Sequence, residues 1–319
     1  FRGAAVASGL ALGVAAVLLV AQGFPGRHDP ALVALVQEQH LLDKEFWNHD
    51  QRQCHQVSPR NLANGKACIR GATGAEPVFA LVGDSHADAA SPGIFAAAEQ
   101  LGVAGWQLTM PGLILTPGRH PMGTRSEGGI PEVLGFLDQN PEVRIIVITG
   151  WWARAITGKS YRDSPTIFVD EEYRGTGLAD NPRSFSAALE RLAARYPDRL
   201  IVLLDDVPFG RRLDMKGFVR AYAVTGVRPE PGIPRGEATG QRRIYVPALE
   251  DVDARFANVI FRPVFNSLCD QDFCPLFTPS GQPIFRDGDH LSRVGATMLD
   301  DSMTAILDEA LRLMPPAAP

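Results

Sequence analysis

From residue 77 onward the chain alternates two patterns. Short unbroken apolar runs, Val78–Val82, Trp106–Met110, Ile145–Thr149, Leu200–Leu204 and Val259–Phe261, alternate with amphipathic stretches at Ala87–Leu101, Ile130–Gln139 and Arg183–Tyr196. An unbroken apolar run of this length suits a strand buried on both faces, whereas a 3.6-residue period suits a helix with one face on a core. The alternation predicts a three-layer α/β/α domain around a five-stranded, mainly parallel sheet. A last helix is expected from Ser292 to Leu313, ended by Pro315 and Pro316. Two stretches rich in Gly, Pro and Arg, 150–181 and 207–243, read as long irregular connections.

The start of the chain follows another pattern. Residues 3–24 carry no charge, and a helix of that length, rising 1.5 Å per residue, crosses a hydrocarbon core of about 30 Å. One transmembrane helix is therefore expected within residues 1–28, with a signal peptide or a buried helix as alternatives. The first residue is Phe, which reads as a processed chain or a fragment. Leu32, Val33, Val36, Leu41, Leu42, Phe46 and Trp47 then recur at helical spacing, so residues 29–76 are read as a neck whose helix packs on the main domain, residues 77–319.

Composition narrows the function. The apolar share is 45% and the charged share 21%, as in an ordinary globular protein. The net charge of −5, with no long basic run, excludes a nucleic-acid binder, which must meet the phosphate field with clustered positive charge. Four cysteines form two local pairs, Cys54 with Cys68 and Cys269 with Cys274. Two disulfides in an oxidising compartment are the expected reading, and a zinc site is the rival.

The chemistry concentrates at two places. The first apolar run ends in Gly83-Asp84-Ser85-His86-Ala87, where a helix begins. A serine at such a turn projects its hydroxyl at the carboxyl edge of the sheet, where open α/β folds bind ligands. Free N–H groups of the helix N-terminus stand ready there for a developing oxyanion. The plain alternative is a helix cap. Near the other end lies Arg286-Asp287-Gly288-Asp289-His290. A carboxylate three residues before a histidine can orient its ring and stabilise the imidazolium. Asp289, adjacent in sequence, is expected to face elsewhere. His86 and His120 are rival bases without such a carboxylate.

Together these segments resemble the SGNH, or GDSL-like, hydrolase family, whose first block carries the serine (here GDSH) and whose last block reads D-x-x-H (here DGDH). The resemblance is closer still to the extracytoplasmic SGNH domain of bacterial acyltransferase-3 membrane proteins. It rests on the membrane helix, the Cys-containing neck, V-G-D-S-H-A, the short C-x4-C loop and SGQPIFRDGDHLSRVGA. It implies an O-acyltransferase that passes an acyl group, usually acetyl, to sugar hydroxyls of a cell-surface polysaccharide. Ser85 would be the nucleophile, His290 the base and Asp287 its orienter, with no metal and no cofactor. The domain would sit in the periplasm, anchored in the inner membrane, and receive its acyl group through a membrane acyltransferase domain. A glycan esterase and a non-catalytic glycan-binding module are the alternatives. The family's oxyanion donors are implied at the backbone of Ser85 and at Gly112. The Asn of the third block is missing, since the third strand ends Thr149-Gly150-Trp151-Trp152. A Trp N–H or a backbone group is the expected replacement. Trp151 and Trp152 are read as a sugar-stacking platform, or else as core aromatics.

Overall fold

The computed structural model describes residues 13–16, 29–48, 54–55, 58–122, 129–159, 166–170 and 177–315. Its centre is a sheet of β1 (Cys68–Gly71), β2 (Pro77–Gly83), β3 (Ala104–Thr109), β4 (Ile145–Thr149), β5 (Leu200–Leu204) and β6 (Val259–Arg262), in the order β1-β3-β2-β4-β5-β6. The five strands β2 to β6 are parallel and coincide with the five apolar runs. The sheet has six strands rather than five, because β1 adds antiparallel to the edge of β3. Its sequence, CIRG, is only half buried, so no apolar run marks it. Pairing along the open edge of β3 makes it a strand.

Side chains alternate across the sheet as the pleat requires. Phe79, Leu81, Ile145 and Val147 enter one apolar cluster, and Ala80, Val82, Ile146 and Ile148 the other. The first face is covered by α1 (Pro30–Asn48), α2 (Ser85–Gln100), α5 (Met215–Thr225) and α7 (Asp300–Leu313). The second is covered by α3 (Ile130–Gln139), α4 (Asn181–Arg195) and α6 (Val246–Arg255). The expected terminal helix is two helices, Arg293–Thr297 and α7.

The stretch 207–243 is not irregular. It contains α5, a helix at Arg235–Arg242 and a short strand, Gly232–Pro234, paired with Phe273–Pro275. Met215, Phe218, Val219 and Tyr222 are all buried, at the spacing of one helical face; the surrounding Gly and Arg content obscures that period. The stretch 150–181 holds a helix at Trp152–Thr157 and a strand, Phe168–Asp170, paired with Arg119–Pro121.

The neck helix forms as expected and packs on the globular body. Leu32, Leu35 and Leu42 of α1 are buried in the first apolar cluster. Tyr222 donates to Asp29, and Lys216 pairs with Asp43 at 3.0 Å. The expected membrane span lies mostly outside the described residues. Gly13–Ala16 is helical, and among the described residues no helix is long and apolar enough to cross a membrane.

Both expected disulfides are formed, Cys54–Cys68 and Cys269–Cys274. Cys54–Cys68 ties the segment before the domain to β1 across a sequence separation of 14. Loop-closure entropy predicts that Cys54→Ala with Cys68→Ala lowers stability by about 3 kcal/mol. Urea unfolding checks this, and an unchanged midpoint would count against a constraining role.

Candidate active site

The nucleophile's position follows from two residues before it. At the end of β2 a side chain on Gly83 has no room: its Cβ would lie 2.0 Å from the Thr149 carbonyl oxygen and 2.6 Å from Ala87 Cβ. Asp84 caps α2. One carboxylate oxygen accepts the His86 N–H at 2.8 Å, and the other accepts the Trp151 N–H at 3.0 Å. The carboxylate thus ties the ends of β2 and β4 together and leaves Ser85 as the first residue of the helix, at the carboxyl edge of the sheet.

The opposing loop is built around another aspartate. Phe285 and Leu291 pair with each other, and residues 286–290 turn between them. One oxygen of Asp287 accepts the N–H of Asp289 at 3.2 Å and of His290 at 2.9 Å, an Asx-type turn that folds the carboxylate back on the chain. Ser292 clamps the exit: it donates to the Pro283 carbonyl at 2.6 Å and accepts the Gly295 N–H at 3.0 Å.

The two halves meet. His290 Nε2 lies 2.8 Å from Ser85 Oγ, and Nδ1 lies 2.9 and 3.0 Å from the two oxygens of Asp287. A carboxylate only accepts, so the ring proton sits on Nδ1 and Nε2 is left to accept the serine hydroxyl. Asp289 does not face elsewhere as expected. The turn brings its Oδ1 to 3.2 Å from the same Nδ1, and it is 2% exposed. His290 therefore carries two carboxylates on one nitrogen. Burial opposes the imidazolium, but the hydrogen bonds of Asp287 and Asp289 outweigh it and hold the proton affinity of His290 above its ordinary value. Burial likewise favours a neutral Asp287, yet its bond to His290 and the attraction between them keep its carboxyl far below the usual range.

Beside Asp84 opens a cavity of about 380 Å3, lined among others by Gly112, Ile114, Arg119, Trp151 and Arg154. Gly112 sits in the turn after β3 with φ +72°, a conformation that favours glycine, and open space surrounds it. The two tryptophans separate. Trp151 borders the cavity, with the Arg154 guanidinium 5.5 Å from its ring. Trp152 is fully buried, and its indole N–H donates to the Leu204 carbonyl at 2.8 Å. It offers no face to a sugar and is a core residue, because the first turn of its helix points it between the sheet and Phe185. The backbone N–H of Trp151 does not replace the missing third-block Asn, since Asp84 already occupies it.

The rival base His86 has a carboxylate after all, and the site also holds residues that the sequence did not single out. His86 Nδ1 lies 2.7 Å from Asp206, just past β5, and the two are 120 residues apart. Both are buried. Burial opposes the charge on His86, but the Asp206 carboxylate overcomes it and raises His86 to about 9; burial raises Asp206 to about 6, with His86 pulling the other way. His55, next to the Cys54 disulfide, reaches Thr109 Oγ1 at 3.2 Å, and burial lowers its proton affinity. No local spacing announces such pairs; only the fold brings them together.

His86, Asp289 and His290 are the one group of described side chains close enough to consider as metal ligands. Both nitrogens of His290 are already engaged, one with Ser85 and one with the carboxylates, and His86 Nδ1 is engaged with Asp206, which leaves His86 Nε2 as the imidazole nitrogen of this group without a partner among the described residues. The donor set fits proton chemistry better than a cation.

A three-layer sheet with a serine, histidine and aspartate at its carboxyl edge is the architecture of SGNH-type acyl-transfer enzymes. The profile of the SGNH domain (fused to AT3 domains) matches residues 53–305, and the chain belongs to that family. The family makes it an enzyme of the acyltransferase or SGNH esterase kind. Among solved structures, the periplasmic domain of the lipopolysaccharide acetyltransferase of Salmonella ser. Paratyphi A matches with a TM-score of 0.57 at 15% identity, over 87% of this chain and 99% of that one. A Streptococcus pneumonia protein described as a platelet activating factor matches at 0.40 and 18% identity, over 86% and 94%. No curated protein matches the chain in sequence.

Proposed function

We propose that this domain carries an acyl group, most simply acetyl, on Ser85 and passes it to a sugar hydroxyl of a cell-surface polysaccharide in the periplasm. The observation that carries the reading is the continuous hydrogen-bond chain from Ser85 through His290 to Asp287; the residue before the serine, Asp84, lines the cavity together with Gly112. Ser85 Oγ attacks the donor carbonyl while His290 Nε2 takes its proton. Asp287 holds the ring and offsets the imidazolium charge. The backbone N–H groups of Ser85 and Gly112 receive the oxyanion. Collapse returns the proton from His290 to the leaving group and leaves an acyl-serine. A sugar hydroxyl then gives its proton to His290 and attacks the ester, a second oxyanion forms and collapses, and Ser85 recovers its proton. Attack by water in the second half makes the same site an esterase.

The cavity suits the acceptor. Trp151 is 8% exposed, stacked on His86 and covered by Arg154, so it contributes an apolar wall rather than an open stacking face, and the Arg154 guanidinium beside it supplies donors for sugar hydroxyls. The family's fusion to AT3 domains supports a donor delivered through the membrane, since a cytoplasmic thioester does not itself cross a bilayer.

Complementation decides the reading. The complete natural protein, returned to a strain that lacks it, is expected to restore polysaccharide O-acylation, and the Ser85→Ala form is not. Restoration by the alanine form would overturn the role of Ser85. Fluorophosphonate labelling of Ser85 separates both catalytic readings from a binding module, which would not label.

A further inference from the structure

The buried imidazole beside the serine has no step in the mechanism above. His86 follows Ser85 in α2, yet its side chain points inward, 2% exposed, with Nδ1 2.7 Å from an Asp206 carboxylate that is itself 1% exposed. Its Nε2 is sealed from solvent and has no hydrogen-bond partner among the described residues, so it cannot touch a substrate. The ring is stacked on Trp151, with centroids 5.2 Å apart and planes 20° apart. On another side it lies 5.0 Å from the ring of His290.

We propose that His86, held as a cation by Asp206, is a positioning residue that sets the proton affinity of His290 and keeps that base free to accept the serine proton. The inference rests on the reading of His290 as the base. The need arises from Asp289: a second carboxylate on Nδ1 makes the imidazolium of His290 too comfortable, and a base that is already protonated cannot take the Ser85 proton. A fixed positive charge 5 Å away in a dry site opposes that effect. The charged groups around His290 are Asp287, Asp289 and Arg286 on its own loop, His86 and Asp84 at the start of α2, Asp206 after β5, and His55 with Asp88 behind it. Burial lowers the proton affinity of His55, which leaves His86 as the imidazole placed to act as the counter-cation. The stack on Trp151 favours that charge through the indole face.

The sign follows directly. His86→Gln keeps a donor toward Asp206 but removes the positive charge. Asp206→Asn removes the anion that keeps His86 protonated, and burial then neutralises the ring. Either change takes the His86 cation away from His290; Asp206→Asn removes the anion behind it as well, but it is the His86 ring that stands against His290, 5.0 Å away, so the proton affinity rises in both and by less in Asp206→Asn. The acid limb of kcat/KM for p-nitrophenyl acetate, and the midpoint of the His290 imidazole 15N titration, are both expected to move to higher pH by about one unit or more. The double variant is expected to match Asp206→Asn, since in both the His86 cation and the Asp206 anion are gone.

A merely structural pair would lower activity or stability and leave both midpoints where they were. Unmoved midpoints in both folded variants, or a shift to lower pH, overturn the inference. Should the variants fail to fold, the wild-type spectrum decides: both His86 nitrogens protonated at pH 7.5 sustain it, and a neutral ring there ends it. Should His290 titrate as expected in a chain that proves inactive, the failure belongs to the proposed function and not to the His86–Asp206 pair.

Discussion

Ser85→Ala is expected to lower ester turnover by several powers of ten, of the order of 10^4 to 10^6, and to abolish fluorophosphonate labelling. The reason is local. His290 Nε2 has its 2.8 Å partner in Ser85 Oγ, and without that hydroxyl no group remains at this point to form an acyl-enzyme. Little stability should be lost with it. The cap of α2 is the Asp84 carboxylate, which holds the His86 and Trp151 N–H groups regardless of residue 85, so the unfolding free energy should change by about 1 kcal/mol or less. Near-wild-type turnover in the folded variant would move the nucleophile elsewhere. Collapse of the fold together with activity would show that residue 85 matters for structure.

The second large effect is expected from Asp287→Asn. Oδ1 of the new side chain can still accept the N–H groups of Asp289 and His290 that Asp287 holds now, which turns the amide nitrogen toward the ring. A donor facing Nδ1 prefers the tautomer whose proton is on Nε2, and that nitrogen can no longer accept from Ser85. A loss of about 10^3 to 10^4 in kcat is expected. Asp289, at 3.2 Å from Nδ1, sets the lower figure by holding part of the ring population correctly. The pH profile carries its own signature. Removal of an anion lowers the proton affinity of His290, so the acid limb moves to lower pH, opposite to the shift expected on neutralising His86. Stability shifts in parallel: the Asp287 carboxyl is held below its unfolded value, so its contribution is present at neutral pH, lost as acid protonates it, and absent throughout in the Asn variant. A wild-type rate and profile in Asp287→Asn would leave Asp289 as the true orienter.

Much of this protein was legible in the sequence because its signals are local. A short apolar run bounded by turn signals suits a strand covered by helices, and all five parallel strands were read that way, β6 at the sheet edge included. Ser85 is placed by Gly83 and Asp84 immediately before it, and His290 by Asp287 three residues earlier within a single turn. The pairing of the cysteines is equally short-range, 14 and 5 residues apart. Where several contacts compete, the sequence alone pointed elsewhere. The strand β1 exists because β3 has an open edge, not because CIRG is apolar. Trp152 became core and Trp151 a cavity wall although they are neighbours, because a helix begins between them and sends adjacent side chains to different faces. Asp289 looked divergent from His290 by spacing, yet the Asx turn at Asp287 folds it back. The His86–Asp206 pair joins residues 120 positions apart, and the spacing within the GDSH block gives no sign of the aspartate that meets it. Local chemistry fixed which residues can act; only the packing of the α2 start against the end of β5 decided the charge that surrounds the base, since electrostatic surroundings depend on distance in space and burial, neither of which a linear spacing carries.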